Sequence, residues 1–231
     1  MGTRQGQGCE KILLLIDKSI NIWYVCLMKK DLISSKKEKE YAILEAALKI
    51  MKQKGFHKAR MSDIAREAGI SYGLVYHYFT NKEELFDAIL DRWWEGLFQL
   101  MGEIIEGTYD VHTKLRHIIN YFLDTYQNNT ELVNIFITEI SRSTTNLTTA
   151  RLECFKKFIF LTEQVITEGQ EREMLRRDFK ARYLTYIFLG ALETFVSAMV
   201  LVDQRIKGDA QKDRIAESIL EVFLNGAKRQ T

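Results

Sequence analysis

The chain has 231 residues, enough for one large domain or two small ones and for a core that needs no metal or disulfide staple. Hydrophobic residues make up 46%, which excludes wholesale disorder. Proline is absent where about 5% is ordinary, so nothing fixes a kink inside a helix. Net charge is +2 but unevenly placed: residues 36–82 carry 10 Lys/Arg against 5 Asp/Glu, and residues 83–231 carry 18 against 23. A small basic segment ahead of a larger acidic body points to a polyanion at the basic end.

Leu, Ile, Lys, Glu and Ala recur with a period near 3.6, so the expectation is an all-α chain of about nine helices. Cys9, Cys26 and Cys154 are scattered and form no CxxC pair. That excludes a zinc knuckle and a disulfide scaffold, and a reducing cytoplasm is the simplest compartment. Three segments are expected: an extension over 1–35, a helix-turn-helix head over 36–81, and a larger body over 82–231.

In the extension, residues 12–28 are apolar but interrupted by Asp17, Lys18 and Asn21. The run is too short for a membrane span and lacks the small-residue cleavage site of a signal peptide. The simplest reading is a start codon assigned too early, with Met28 as the native start. The other is a tether to a membrane surface or a partner.

Residues 38–54 read as an amphipathic helix with Ile43, Ala47, Ile50 and Met51 on one face. Lys52 and Lys54 suit its negative end, and Gly55 its stop. Ser62 reads as the N-cap of a second helix over 63–68, and Gly69 as a sharp turn pinned by Ile70. Ser71 caps a third, short helix reaching Phe79. Asn81 with Glu84 resembles a capping box for the next helix. Two short helices joined by a tight glycine turn are the helix-turn-helix pattern, whose second helix lies in the DNA major groove. With Leu74, Val75 and Phe79 facing inward, Ser71, Tyr72, Gly73, Tyr76 and His77 remain for outward work.

Met61–Leu85 (MSDIAREAGISYGLVYHYFTNKEEL), with the preceding AILEAALKIMKQKGF, resembles the N-terminal DNA-binding motif of the TetR family of bacterial transcriptional regulators. The matching residues are Ser62, Ile64-Ala65, Ala68-Gly69, Tyr76, Tyr78-Phe79, Lys82-Glu83 and Leu85. The resemblance implies phosphate contacts for Ser62, Tyr78 and Lys82. It places Ser71, Tyr72 and Gly73 against bases and nearby backbone, and Tyr76 and His77 at base edges or phosphates. It further implies a homodimer on a palindromic double-stranded DNA operator, released when a small effector enters the body.

Residues 82–106 form a long helix too widely apolar for a single neighbour. Further helices are expected over 111–127, 131–143, 149–172, 179–203 and 211–228. Residues 183–202 are nearly continuously apolar, but Glu193 and the flanking Arg182 and Asp203 argue against a membrane helix. A subunit interface is expected instead, at Leu189, Gly190, Ala191, Phe195, Ala198, Ile219 and Phe223, with no membrane partner. Candidate pocket walls are Trp94, Phe98, Met101, Phe122, Tyr126, Phe136, Glu139, Arg142, Phe155, Phe158 and Phe195.

FITEISRSTTNLTTARLECFKKFI and GALETFVSAMVLVDQ are similar to the acyl-CoA-responsive regulators of fatty-acid degradation within that family. The resemblance implies an apolar tunnel for a long-chain fatty acyl-CoA, with Arg142, Arg151, Lys156 and Lys157 at its mouth. The other effector class is aromatic or cationic compounds, as for a regulator of efflux. An enzyme finds little support. His112 and His117 are badly spaced for a shared metal, His57 sits in a turn, and there is no P-loop, GxSxG or HExxH. No metal and no cofactor are expected. A helical scaffold keeping a relic DNA motif is the remaining class, and the retained tyrosines and Lys82 speak against it.

Overall fold

The computed structural model describes residues 35–130, 132, 133 and 149–227. The extension with Cys9, Cys26 and Met28, most of the helix expected over 131–143, and the pocket candidates Phe136, Glu139 and Arg142 lie outside the described residues. Eight helices occur among the described residues: α1 (Ser35–Lys54), α2 (Met61–Glu67), α3 (Tyr72–Tyr78), α4 (Lys82–Glu106), α5 (Val111–Asn128), α6 (Thr149–Glu171), α7 (Ala181–Leu201) and α8 (Asp209–Ala227). The all-helical expectation holds, and α4 has the expected bounds.

The head is α1–α3. Helix α1 buries Ile43, Ala47, Ile50 and Met51 against α2 and α4. The start of α2 departs from expectation. Its N-cap is Arg60, extended at φ −114° and ψ 146°, with no side-chain cap, and exposed Ser62 lies one residue inside the helix. The Arg60 carbonyl accepts from the amides of Asp63 (3.0 Å) and Ile64 (3.2 Å), so the backbone starts this helix without the serine. Asp63 is held by Lys54 (2.8 Å) and Arg66 (2.7 Å), which keep its carboxyl below the usual range.

Gly69 ends α2 at φ 66°. The Ile70 amide donates to the Ala65 carbonyl (3.1 Å) and the Gly69 amide to that of Arg66 (3.2 Å), the paired bonds of a Schellman stop. The left-handed backbone at this corner sets the angle between α2 and α3, and a side chain there is strained. Ser71 caps α3 as expected, its Oγ accepting from the Leu74 amide at 3.3 Å.

Helix α4 leaves the head and runs about 37 Å into the body at 1.5 Å per residue. The Asn81 side chain accepts from the Glu84 amide at 2.7 Å, but the Glu84 carboxylate takes the Thr80 amide instead of closing the box on Asn81. Leu85, Phe86, Ile89, Leu90, Trp93, Trp94, Leu97 and Met101 are all buried, because α4 packs against α1, α5 and α6 together. Gly96 is what lets α5 approach. A Cβ there would stand 2.8 Å from the Tyr121 hydroxyl, which donates to the Trp93 carbonyl at 2.7 Å.

Asp110 caps α5 through the Thr113 amide (2.7 Å). Ion pairs join the body helices: buried Lys114 with Glu168 (2.8 Å) ties α5 to α6, Lys212 with Asp124 (2.6 Å) and Arg116 with Glu217 (2.7 Å) tie α8 to α5, and Arg182 with Glu163 (2.7 Å) ties α7 to α6. Helix α7 is long and apolar enough to cross a membrane by length and composition; in this fold it packs on α5, α6 and α8.

Candidate nucleic-acid interface and effector cavity

Helix α3 buries Val75, half-buries Leu74 and Tyr78, and offers the rest of its surface outward. Ser71, Tyr72, Gly73, Tyr76 and His77 are exposed and Tyr78 is half-buried, its ring 5.7 Å edge-on from that of His77. Tyr72 is 53% exposed and Tyr76 42%, a costly placement for two large aromatics with nothing to meet. Their rings stand edge-on at 4.8 Å and the Tyr72 hydroxyl donates to that of Tyr76 at 3.1 Å. Between them, Gly73 faces open space: a Cβ would meet nothing within 4 Å. No contact inside the protein requires glycine there.

Lys82 is placed differently from its implied phosphate role. Its Nζ donates to the carbonyls of Phe56 (2.8 Å) and His57 (3.4 Å) and stands 4.4 Å from the centre of the Phe56 ring. The ammonium fastens the start of α4 to the α1–α2 turn, and one of its three donors remains.

In the body the aromatic candidates separate into groups. Trp94 stacks on Phe98 (5.6 Å between centres, 21°) and meets Phe155 (5.0 Å) and Phe158 (6.4 Å) edge-on. Phe122 stacks on Phe158 at 5.6 Å. These five come together between α4, α5 and α6. Three others do not join them. Met101 is sealed core farther along α4. The Tyr126 hydroxyl donates to the Gln204 carbonyl at 2.6 Å, directing that ring to the α7–α8 turn. Phe195 lies on the opposite side of α7 from the cavity.

That cavity, of about 60 Å³, is lined by Leu90, Trp93, Phe122, Thr125, Leu132, Val133, Glu193, Val196 and Ser197. Of these only Phe122 was singled out as a pocket wall from the sequence. Trp93 Nε1 donates to Thr125 Oγ1 at 2.9 Å, and that hydroxyl donates to the Tyr121 carbonyl at 2.8 Å, so the polar atoms of the wall satisfy one another. At the rim the Ser197 hydroxyl donates to Glu193 Oε1 at 3.1 Å. The basic candidates on α6 have partners: Arg151 pairs with Asp87, Lys156 with Glu153 (2.7 Å), and Lys157 lies 4.1 Å from the centre of the Phe98 ring. Lys157 is thereby placed against the aromatic cluster.

On the other side, α7 and α8 form an open groove of about 530 Å³ lined in part by Ile187, Ala191, Phe195, Ile219, Val222 and Phe223. Gly190, Ala191, Phe195 and Ala198 are exposed, Leu189 is half-buried, and Ile219 and Phe223 form the buried floor. Ile187 and Val222 are more than half exposed. A continuous apolar face of this kind on two neighbouring helices calls for a covering surface. His112 reaches Glu217 at 3.9 Å, and burial depresses the His117 pKa. Among the described residues no three His, Cys, Asp or Glu side chains gather to hold a metal.

A pair of short helices joined at the Gly69 turn in a three-helix head, continued by one long helix into an all-helical body, has the architecture of a helix-turn-helix regulator. Residues 43–89 match the family of bacterial regulatory proteins called tetR, and residues 94–225 match the C-terminal region of YsiA-like proteins. The chain belongs to the TetR family and is a TetR-type transcriptional regulator. It is 23% identical over 194 residues to the fatty acid metabolism regulator protein of Bacillus subtilis, covering 84% of this chain and 98% of the relative. Among solved structures it is similar to the regulator FadR of Bacillus subtilis in complex with stearoyl-CoA, with a TM-score of 0.67, 22% identity, and 80% and 98% of the two chains covered. It is also similar to FadR of Bacillus halodurans, with a TM-score of 0.66, 24% identity, and 81% and 95% covered. At these identities the structural likeness is one of fold.

Proposed function

We propose that the protein is a cytoplasmic, homodimeric repressor that occupies a palindromic operator and leaves it when an apolar effector, a long-chain fatty acyl-CoA, enters the body. One observation carries this reading. The helix that begins at the head with Lys82 also supplies Leu90 and Trp93 to the cavity and Trp94 to the aromatic cluster. Whatever repositions those side chains repositions the head. A ligand shifts that equilibrium only by binding one arrangement better than the other.

In this reading Ser71, Tyr72, Gly73, Tyr76 and His77 face base edges and adjacent backbone. Ser62, Tyr78 and the remaining donor of Lys82 take phosphates. Phosphate contacts set position and base contacts set sequence. The α7–α8 groove pairs with its copy, giving the two-fold symmetry that a palindrome requires. The apolar cavity and cluster take hydrocarbon, with Lys157 nearest the anionic end of the ligand. The resemblance to acyl-CoA-responsive regulators supports the ligand class, and so do the relatives described as bound to stearoyl-CoA or named for fatty acid metabolism. No chemical step is assigned to the protein.

Fluorescence anisotropy of labelled DNA from upstream of the protein's own gene tests the reading. Micromolar palmitoyl-CoA releases the DNA and free CoA does not. Salt-sensitive binding with no release discards this ligand and keeps the regulator. The Glu193 carboxylate at the rim of the cavity favours a second reading, an aromatic cation as effector. Release by such cations, with none by palmitoyl-CoA, decides for it.

A further inference from the structure

The head touches the body at a place other than α4. Lys52, in the last turn of α1, donates from Nζ to the Asn128 carbonyl at 2.8 Å, across 76 residues of sequence. Asn128 ends α5, so its carbonyl is one of the four at that helix end with no partner inside the helix. A cation is favoured there by the negative end of the helix dipole. Of the two lysines in the last turn of α1, Lys54 turns back into the head to Asp63. Lys52 is the one aimed at the body.

The helix end that Lys52 grips also carries part of the cavity wall. Thr125 lies three residues before Asn128, and Leu132 and Val133 follow it closely; all three line the cavity. Hydrogen bonds run through the segment. The Asn129 amide donates to the Thr125 carbonyl (2.8 Å), the Thr130 hydroxyl to the Tyr126 carbonyl (2.9 Å), and the Val133 amide to the Asn129 carbonyl (3.3 Å). Farther back, Tyr126 is tied to Gln204 and Asp124 to Lys212, so the same helix end is fastened toward α7 and α8. Thr125, Leu132 and Val133 of the cavity wall and the Asn128 carbonyl thus belong to one hydrogen-bonded segment.

We propose that Lys52 is a positioning residue for the response to effector: through the Asn128 carbonyl it couples occupancy of the cavity to the orientation of the DNA-binding head. This rests on the regulator reading above and adds a second attachment to it. With α4 alone the head can pivot about one helix. With Lys52 on α5 as well, its orientation follows the cavity wall.

The test uses the full chain with Lys52→Met, which keeps the stem and removes the donor and charge, and Lys52→Arg, which restores both. Melting temperature and dimer state serve as controls: the first falls by no more than a few degrees, as for one exposed contact, and the second stays unchanged. In operator-release titrations with palmitoyl-CoA, Lys52→Met raises the concentration for half release by about threefold, the scale of a cation at a helix end, and Lys52→Arg returns it toward wild type. An unchanged or lowered half-release concentration overturns the proposal. A second readout needs no effector. Spin labels at Lys58→Cys, with Cys9, Cys26 and Cys154 replaced by serine, report the distance between the two heads of the dimer. Lys52→Met broadens that distribution and Lys52→Arg narrows it again; identical distributions overturn the coupling. If palmitoyl-CoA fails to release the wild-type protein, the ligand reading fails, and the spin-label measurement still decides the role of Lys52.

Discussion

In the head, Tyr72 and Tyr76 stand in solvent on a helix of seven residues; in the body, Trp93, Trp94, Phe122 and Phe158 are packed against one another. The residue class is the same and the environments are opposite. The body's rings are held by neighbours on three helices, so their removal is felt as lost stability. The head's rings touch little besides each other, so their removal is felt in what the head binds. Gly73 and Gly96 repeat the contrast. The first has empty space before it, and the second has Tyr121 against it.

The largest expected effect is in the body. Trp94→Ala should lower the unfolding free energy by about 3–5 kcal/mol, the range for removing a buried large aromatic. Tyr72→Ala in the head should change stability by about 0.5 kcal/mol and weaken operator binding instead. Denaturant titration and anisotropy on both variants measure this, and equal stability losses would erase the distinction.

Next comes Ala191→Glu, which sets a carboxylate in the α7–α8 groove. Association should weaken by about 2 kcal/mol or more, because the charge is desolvated without a partner. Sedimentation should show monomers whose helix content is unaltered; an intact dimer means that another face pairs.

A smaller loss is expected from Tyr76→Phe combined with Lys82→Ala. Removing two donors should lower operator affinity about tenfold, since a typical hydrogen bond is worth about 0.5–1.5 kcal/mol net. The slope of affinity against salt should also become shallower. Affinity equal to wild type would refute the assigned face.

The smallest effect, and the sharpest, is at Gly73. Gly73→Ala should stabilise the free protein by about 0.5–1 kcal/mol, because alanine is the better helix former and its side chain meets open space. It should at the same time weaken the operator complex. Improved stability with undiminished affinity would mean that DNA does not approach this backbone.

The helix starts were legible where a side chain makes the cap, at Ser71 and Asn81. At α2 the cap is made by the backbone of Arg60, which has no signature in side-chain chemistry, and Ser62 attracted the assignment from two residues away. The outward face of α3 followed from its apolar positions. Periodicity gave the buried face of each body helix but not the neighbour it meets. Phe195 and Val196 are adjacent, yet one lines the α7–α8 groove and the other the cavity. Trp93 and Leu90 share the apolar face of α4 with Trp94, and nothing in their spacing says which of them borders a void. Lys114 with Glu168 and Lys52 with Asn128 join residues 54 and 76 positions apart, and such pairings appear only once the chain is folded.

Two of the three tryptophans stand where an effector would be noticed. The Trp93 indole forms part of the cavity wall with its N–H held by Thr125, and Trp94 lies within the aromatic cluster against Phe98 and Phe155. Both rings are shielded from water, so their emission in the empty protein should lie toward the blue. A ligand pressing on either ring alters intensity and wavelength without any label, and the molecule thereby carries its own optical gauge of occupancy.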